Sequence, residues 1–218
     1  DVETKAAVKA ALDFNGPVYM RFGRLAVENF NDKDTYKFEL GKGIQLRDGN
    51  DVTIIATGLM VGEARKAADM LAEKGISARV INMHTIKPID KDIICKAAKE
   101  TGVIVTAEEH SVIGGLGSAV ADVVTECCPV PVVKVGVNDV FGHSGPAVDL
   151  LKEFGLCAEN IAEKAEAAVK HSRSGVDHWQ AYFEMRRLSF FITSQFRNFL
   201  LRLLQDLLAE GCQFGTLL

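Results

Sequence analysis

Between Gly41 and His171, short runs rich in Val and Ile alternate with stretches whose apolar residues recur at three- and four-residue spacing. A strand repeats every two residues and a helix every 3.6 or so, so each pattern excludes the other locally. Val52–Ala56, Ser77–Ile81, Val103–Ala107 and Val132–Gly136 read as strands. The helical stretches between them carry first Val61, Ala64, Ala68, Leu71 and Ala72, then Ile93, Ile94, Ala97 and Ala98, and last Ala119, Val120, Val123 and Val124. Two further helices are expected around Ala147–Phe154 and Glu159–His171. Gly75 and Gly102 stand where helices stop, and Asp90 stands where one is capped. Strands alternating with helices in units of about 25–30 residues specify an α/β domain with a mostly parallel sheet. Gly43–Arg47 is a fifth β-type run, and Asp48-Gly49-Asn50 has the composition of a hairpin turn leading into Val52. The expected architecture is a three-layer α/β domain with a five-stranded sheet, parallel except for one antiparallel edge strand, followed by a helical C-terminal tail.

Composition excludes several functions. A net charge of -4 and a pI near 5.8 argue against a general nucleic-acid binder, which normally carries a basic face. No run of about 18 uninterrupted apolar residues is present, so no membrane partner is expected. The five cysteines (95, 127, 128, 157 and 212) have no metal-type spacing, and no metal site is expected. Their odd number suits a reducing compartment, and nothing reads as a signal peptide, so the expected location is cytoplasmic. The chain opens without Met, in a helical pattern over Glu3–Phe14 that Asn15-Gly16-Pro17 ends. Val18-Tyr19-Met20 then reads as a short strand. One helix and one strand cannot bury their own apolar faces, so this stretch is expected to close a larger unit, with residues 25–38 as a polar linker.

The densest chemistry lies in Thr106–Val120, where Glu108, Glu109 and His110 end a strand and Gly114-Gly115-Leu116-Gly117 opens a helix. Glycines in that place can cradle a phosphate at a helix N-terminus. The dinucleotide fingerprint, however, needs a third glycine in register and an acidic residue about 20 positions on, and neither is in place. Tight turning and close helix–strand packing is therefore the preferred reading of the glycines. Loop hydrogen bonding and subunit contact is preferred over acid–base chemistry for Glu108, Glu109 and His110, although strand carboxyl ends are where α/β ligands bind. His84 reads as loop packing beside Pro88. His143 lies in another strand-end loop, and Ser144 is expected to cap the helix begun after Pro146. Sequence neighbours seldom point together and the Gly-x-Ser-x-Gly elbow is missing, so Ser144 with His143 is no nucleophile pair.

Four segments carry a family resemblance: Gly58-Leu-Met-Val-Gly-Glu-Ala64, Asn82-Met-His-Thr-Ile-Lys-Pro-Ile-Asp90, Glu108-Glu-His-Ser-Val-Ile-Gly-Gly-Leu-Gly-Ser118 and Val140-Phe-Gly-His-Ser-Gly145. In this order they resemble the C-terminal region of transketolase, most closely the split form whose C-terminal half is a separate polypeptide. Val2-Glu-Thr-Lys-Ala-Ala7 and Gly16-Pro-Val-Tyr-Met-Arg-Phe-Gly-Arg24 resemble the end of the preceding pyrimidine-binding domain. The resemblance spans about residues 1–171. Deoxyxylulose-phosphate synthase and the β subunit of 2-oxoacid dehydrogenases share the domain and stay open as alternatives.

The resemblance implies transfer of a two-carbon ketol unit between sugar phosphates in the pentose phosphate pathway, with thiamine diphosphate and Mg in the parent enzyme. The family holds that cofactor with a Gly-Asp-Gly motif, which this sequence lacks, and with an activating Glu that would precede residue 1. The implied chain therefore has no catalytic residue, binds no cofactor alone and is inactive by itself. Its implied partners are an N-terminal transketolase half and a further copy in a dimer or other homo-oligomer. A purely non-catalytic dimerisation or docking module is the alternative from another class. One position carries a specific family role: Arg21 matches the arginine that grips the substrate's phosphate, with Arg24 a weaker neighbour. A guanidinium fork suits phosphate because it binds bidentately and stays charged.

The expected division is thus residues 1–38, a pyrimidine-domain remnant with linker; 39–171, the α/β domain; and 172–218, a tail without family match. Ser172–Asp177 reads as a linker or cloning junction. Phe196, Phe199, Leu200, Leu203, Leu204, Leu207 and Leu208 then fall on one face of an expected amphipathic helix that Gly211 stops.

Overall fold

A computed structural model of the chain describes residues 1–174. The chain divides into two units, Asp1–Ser172 and Arg173–Leu218. The amphipathic helix expected around 196–210 lies outside the described residues.

Five strands build the sheet: β1 (Ile44–Arg47), β2 (Val52–Ala56), β3 (Ala78–Asn82), β4 (Ile104–Ser111) and β5 (Val132–Val137). Their spatial order is β1-β3-β2-β4-β5, with β1 antiparallel to β3 and every other pair parallel. The expected five-stranded sheet with one antiparallel edge is therefore present. Helices α1 (Val2–Asp13), α2 (Met60–Glu73), α3 (Lys91–Thr101), α4 (Leu116–Cys127) and α5 (Ala147–Glu153) accompany it, and α6 runs over residues 158–174.

Every residue of β2 and β3 is buried because helices cover both faces of the sheet. On one face α2 inserts Met60, Val61, Ala64, Ala67, Ala68 and Leu71, and α6 adds Ile161, Ala165 and Val169. On the other face α3 contributes Ile94, Ala97 and Ala98, and α4 contributes Leu116, Val120, Val123 and Val124. Asp90 caps α3, accepting from Ile93 N at 3.3 Å, and the same carboxylate accepts from Gly43 N at 3.0 Å. Gly102 ends α3 at φ 68°, a left-handed conformation that favours glycine. Among the described residues, no helix is long and apolar enough to cross a membrane.

Three local expectations are corrected. First, Asp48-Gly49-Asn50 does not close a β1–β2 hairpin, because β1 pairs with β3. The segment instead crosses the start of β3, with Asn50 N and Asp51 N donating to Ser77 O at 3.1 and 2.9 Å. A side chain at Gly49 would collide with the Ala78–Arg79 backbone, so the glycine serves close approach rather than a hairpin turn. Second, Val18-Tyr19-Met20 forms no strand. A strand needs a laterally bonded neighbour, none is recorded for it among the described residues, and Tyr19 is 91% exposed. Third, Ser144 does not cap α5; Pro146 occupies the N-cap, with no side-chain cap bond.

The odd cysteine count divides into a disulfide between Cys95 and Cys127 and, among the described residues, free thiols at Cys128 and Cys157.

Candidate functional site

Strand order decides where a ligand can sit. From β2 the chain leaves through α2 toward β3 on one side; from β4 it leaves through α4 toward β5 on the other. The two central strands β2 and β4 are neighbours, so their outgoing turns diverge and leave a crevice beyond their carboxyl ends. Gly58 lies just past β2, in the left-handed region at φ +57°. Glu109 and His110 lie among the last three residues of β4.

Arg21 reaches this place from the N-terminal segment. Its Nη1 lies 3.9 Å from Glu109 Oε1, and its Nη2 lies 4.0 Å from where a Gly58 side chain would begin. A Cβ at Gly58 would make only ordinary contact with the guanidinium, so it is the left-handed backbone of the turn, not the space over it, that favours glycine there. The Arg21 side chain is 40% exposed and that of Glu109 is 27% exposed, so this ion pair faces solvent and is easily exchanged. His110 is held below the usual histidine range, chiefly by burial and then by Arg21, against the opposing pull of Glu108 and Glu109. A neutral imidazole therefore sits beside the guanidinium.

Glu108 has a different environment from its neighbour. Strand alternation turns it inward, and it is fully buried. Its two oxygens accept from Leu116 N at 2.7 Å and Gly117 N at 2.8 Å, the first free donors of α4. Gly115, the N-cap of α4, has no space for a side chain because the Glu108 carboxylate occupies it. A Cβ on Gly117 would lie 2.7 Å from Thr106 Oγ1 and 2.9 Å from the stem of Lys134. Gly114 turns the chain at φ +76°. The anion that this glycine turn holds is thus a side chain of the protein itself. Those amides are not offered to a diphosphate, and the residues at this turn do not fit the cofactor's phosphates. Lys134 closes the turn, donating to Val112 O at 3.2 Å and Ser118 Oγ at 3.1 Å.

The remaining sequence candidates lie elsewhere. His143 pairs through Nε2 with Glu153 Oε1 at 2.8 Å and stands near the Phe154 ring, and its pKa is raised chiefly by that bond. Its loop exposes Phe141 completely. His84 bonds Thr85 Oγ1 through Nδ1 at 2.9 Å and stacks on Phe38 at 4.3 Å between centroids. Arg24 has no recorded contact with Glu109 or His110. Gly58, read only as the start of a family-like segment, and Lys134, read only as a strand residue, had no site role in the sequence reading; the Thr57-Gly58 pair at the end of a β-run was the available signal for the first of them.

Comparison with known proteins fits this arrangement. Residues 41–161 match the family described as transketolase, C-terminal domain. The chain is 48% identical over 163 residues to the 6-deoxy-6-sulfo-D-fructose transketolase subunit of Clostridium sp. (strain MSTE9), covering 75% of this chain and 50% of that protein. It is 45% identical over 168 residues to an apulose-4-phosphate transketolase subunit of Phocaeicola vulgatus, covering 77% and 54%. It is 39% identical over 174 residues to the 1-deoxy-D-xylulose-5-phosphate synthase of Heliobacterium modesticaldum, covering 79% and 27%. A solved structure, the split gene transketolase, inactive beta4 tetramer, superposes with a TM-score of 0.75 at 50% identity, covering 78% of this chain and 55% of that one. The chain thus spans about half the length of the transketolase subunits it matches. The matched segment takes in β1 to β5 and both strand-end loops described above, and the chain belongs to the transketolase C-terminal domain family.

Proposed function

We propose that this chain is the C-terminal section of a transketolase-type enzyme that moves a two-carbon ketol unit between sugar phosphates in the pentose phosphate pathway. Identity is higher to the two transketolase subunits, at 48% and 45%, than to the deoxyxylulose-phosphate synthase, at 39%, which favours the first chemistry. In this reading residues 39–171 are the family domain, 1–38 finish the domain before it, and 172–218 are a tail. The chain works in the cytoplasm with an N-terminal section and with further copies of itself.

Thiamine diphosphate and a divalent metal supply the carbanion chemistry in the assembled enzyme, and other domains hold them. Within this chain the acting group is Arg21. The observation that carries the reading is its place at the β2–β4 crevice, with one half-buried carboxylate as counter-ion. Its guanidinium binds the phosphate tail of the substrate bidentately; Glu109 keeps it extended over the Gly58 turn until substrate arrives; His110, kept neutral, adds no competing charge. Glu108, Gly115 and Gly117 hold the loop that presents Glu109 and His110.

Reconstitution tests this. The chain alone should show no ketol transfer; mixed with an N-terminal section that supplies the cofactor-binding domains, plus thiamine diphosphate and Mg²⁺, it should turn over. In that mixture Arg21→Ala should raise KM for phosphorylated sugars by about 10- to 100-fold, the loss expected for a charge-assisted phosphate contact. KM for unphosphorylated sugars should barely move. Equal changes for both kinds of sugar would refute the anchor. Micromolar binding of thiamine diphosphate by the chain alone, measured calorimetrically, would refute the division of labour.

A further inference from the structure

Cys95 stands in the second turn of α3, and Cys127 is the last residue of α4. Their Cα atoms are 6.0 Å apart, they form a disulfide, and 32 residues separate them in sequence. Both side chains are half-buried at the margin of the core cluster that contains Ile94, Ala97, Val123 and Val124. The same two helices are also joined by Lys91 Nζ and Glu126 Oε2 at 2.8 Å. Cys95 lines an open surface depression together with Asp92, Lys96, Lys99 and Glu100. Cys128 follows directly, half-buried and free, its backbone N–H closing α4 on Val124 O at 3.0 Å.

We propose that Cys95 and Cys127 are a redox modification site: a reversible covalent tie between α3 and α4, made and broken by thiol–disulfide exchange with a low-molecular-weight thiol. Three features combine to make the pair exchangeable rather than merely structural. The sulfurs meet between two helices that ion pairing and packing already hold, so the bond forms without rearranging the fold. Cys95 borders an open depression, which gives an attacking thiol its route. Lys96 and Lys99 are balanced there by Asp92 and Glu100, so no net charge at the opening repels an anionic thiol or disulfide. Tying the helices stiffens the layer that covers one face of the sheet, and α3 begins at Asp90, which also holds Gly43 at the start of β1.

The exchange balances with oxidised glutathione as the probe oxidant. One cysteine thiolate attacks a glutathione sulfur, forms a mixed disulfide and expels a glutathione thiolate. The second cysteine thiolate attacks the protein sulfur of that mixed disulfide, closes the Cys95–Cys127 bond and expels the second glutathione thiolate. The two cysteines lose two electrons, the glutathione disulfide gains them, and the two protons released by the cysteines end on two glutathione thiols. Excess reduced glutathione runs the same steps backward.

The test uses the full chain, equilibrated without denaturant across a range of oxidised-to-reduced glutathione ratios, then quenched with acid, alkylated and digested with trypsin. On the oxidised side, the peptide of residues 92–96 should be joined to the peptide of residues 100–134, with Cys157 alkylated throughout. Cys128→Ser should keep that cross-link, which assigns it to Cys127. Millimolar reduced glutathione should open it in the folded chain. The Tm should fall by roughly 5–10 °C on reduction. Cys95→Ser should remove this redox dependence while keeping the circular dichroism of the folded chain. Full alkylation of Cys95 and Cys127 at every ratio, loss of the cross-link in Cys128→Ser, or a bond that resists reduction until the chain unfolds would each overturn the proposal.

Discussion

Replacing Glu108 with Gln tests the role of the buried carboxylate most directly. The native side chain accepts two backbone hydrogen bonds, at 2.7 and 2.8 Å, at the first turn of α4, where partial positive charge gathers. An amide keeps one acceptor oxygen and turns an NH2 toward the second N–H. One buried amide then loses its partner, at a cost of about 1–3 kcal/mol. The surviving bond falls from charge-assisted to neutral, and its pairing with the helix terminus is lost, costing about 1 kcal/mol more. The Cβ and Cγ stay, so no cavity contributes. A total of about 2–4 kcal/mol corresponds to a Tm lower by roughly 5–15 °C in a unit of this size. Glu109→Gln, which disturbs only a solvent-facing pair, should shift Tm by less than about 2 °C. The two variants differ by one position and carry the same charge change, so thermal melts followed by circular dichroism compare burial alone. If the two melt together, Glu108 is not the cap of α4, and the glycine turn would be free to bind an external anion.

Other outcomes follow from the same structure. Gly49→Ala should lower the unfolding free energy obtained from urea titration strongly, by about 3 kcal/mol or more, because the new methyl meets the Ala78–Arg79 backbone rather than open space; an unchanged midpoint would refute the crossing over β3. Asp90→Ala removes the α3 cap and the bond to Gly43 N, and should cost about 1–3 kcal/mol by the same measurement, with α3 amides near residue 93 losing hydrogen-exchange protection first. His84 and His110 are both held below the usual value of 6.5, each chiefly by burial, so the unfolded chain takes up protons before the folded one as pH falls. Their contribution is therefore complete above about pH 6.5 and is lost as pH drops through the folded values. Tm should decline between about pH 7 and 5.5, and His84→Phe should flatten that slope; a slope unchanged in this variant would remove His84 from the account.

Most of the sheet could be read in advance because its signals are local. Val52–Ala56 and Ala78–Asn82 are buried on both faces and show it as Val- and Ile-rich runs, although Thr53, Arg79 and Asn82 interrupt them. Asp90 and Gly102 do their work within a turn of where they stand. The misreadings involve pairing, which is not local. Asp48-Gly49-Asn50 has hairpin composition, yet the same glycine equally serves a crossing over a third strand, and only the position of β3 decides between them. Val18-Tyr19-Met20 has β composition without a lateral partner among the described residues. Cys95 and Cys127 lie on helices whose mutual packing depends on the order of β2, β4 and β5, so their pairing has no signature in spacing.

The candidate site shows the same division, and it sharpens what Arg21 must overcome. Sequence displayed an acidic pair and a phosphate-like turn side by side; it did not show that the first carboxylate fills the second. Once Glu108 neutralises the start of α4, that helix end has little attraction left for an incoming phosphate, and the cationic pull at the crevice falls to Arg21. Glu109, 3.9 Å away, opposes it with a single charge. A phosphomonoester carries about −1.5 to −2 charges at neutral pH, so it can displace Glu109 from the guanidinium, whereas a neutral sugar cannot. In the proposed reading this exchange would take place at a surface where charge is screened, so discrimination between phosphorylated and unphosphorylated sugars should weaken as ionic strength rises. Glu109→Gln in the reconstituted enzyme should tighten phosphorylated substrates at low salt and leave unphosphorylated ones unchanged. If instead it weakens both, Glu109 positions Arg21 more than it competes for it, and the ion pair is part of the anchor.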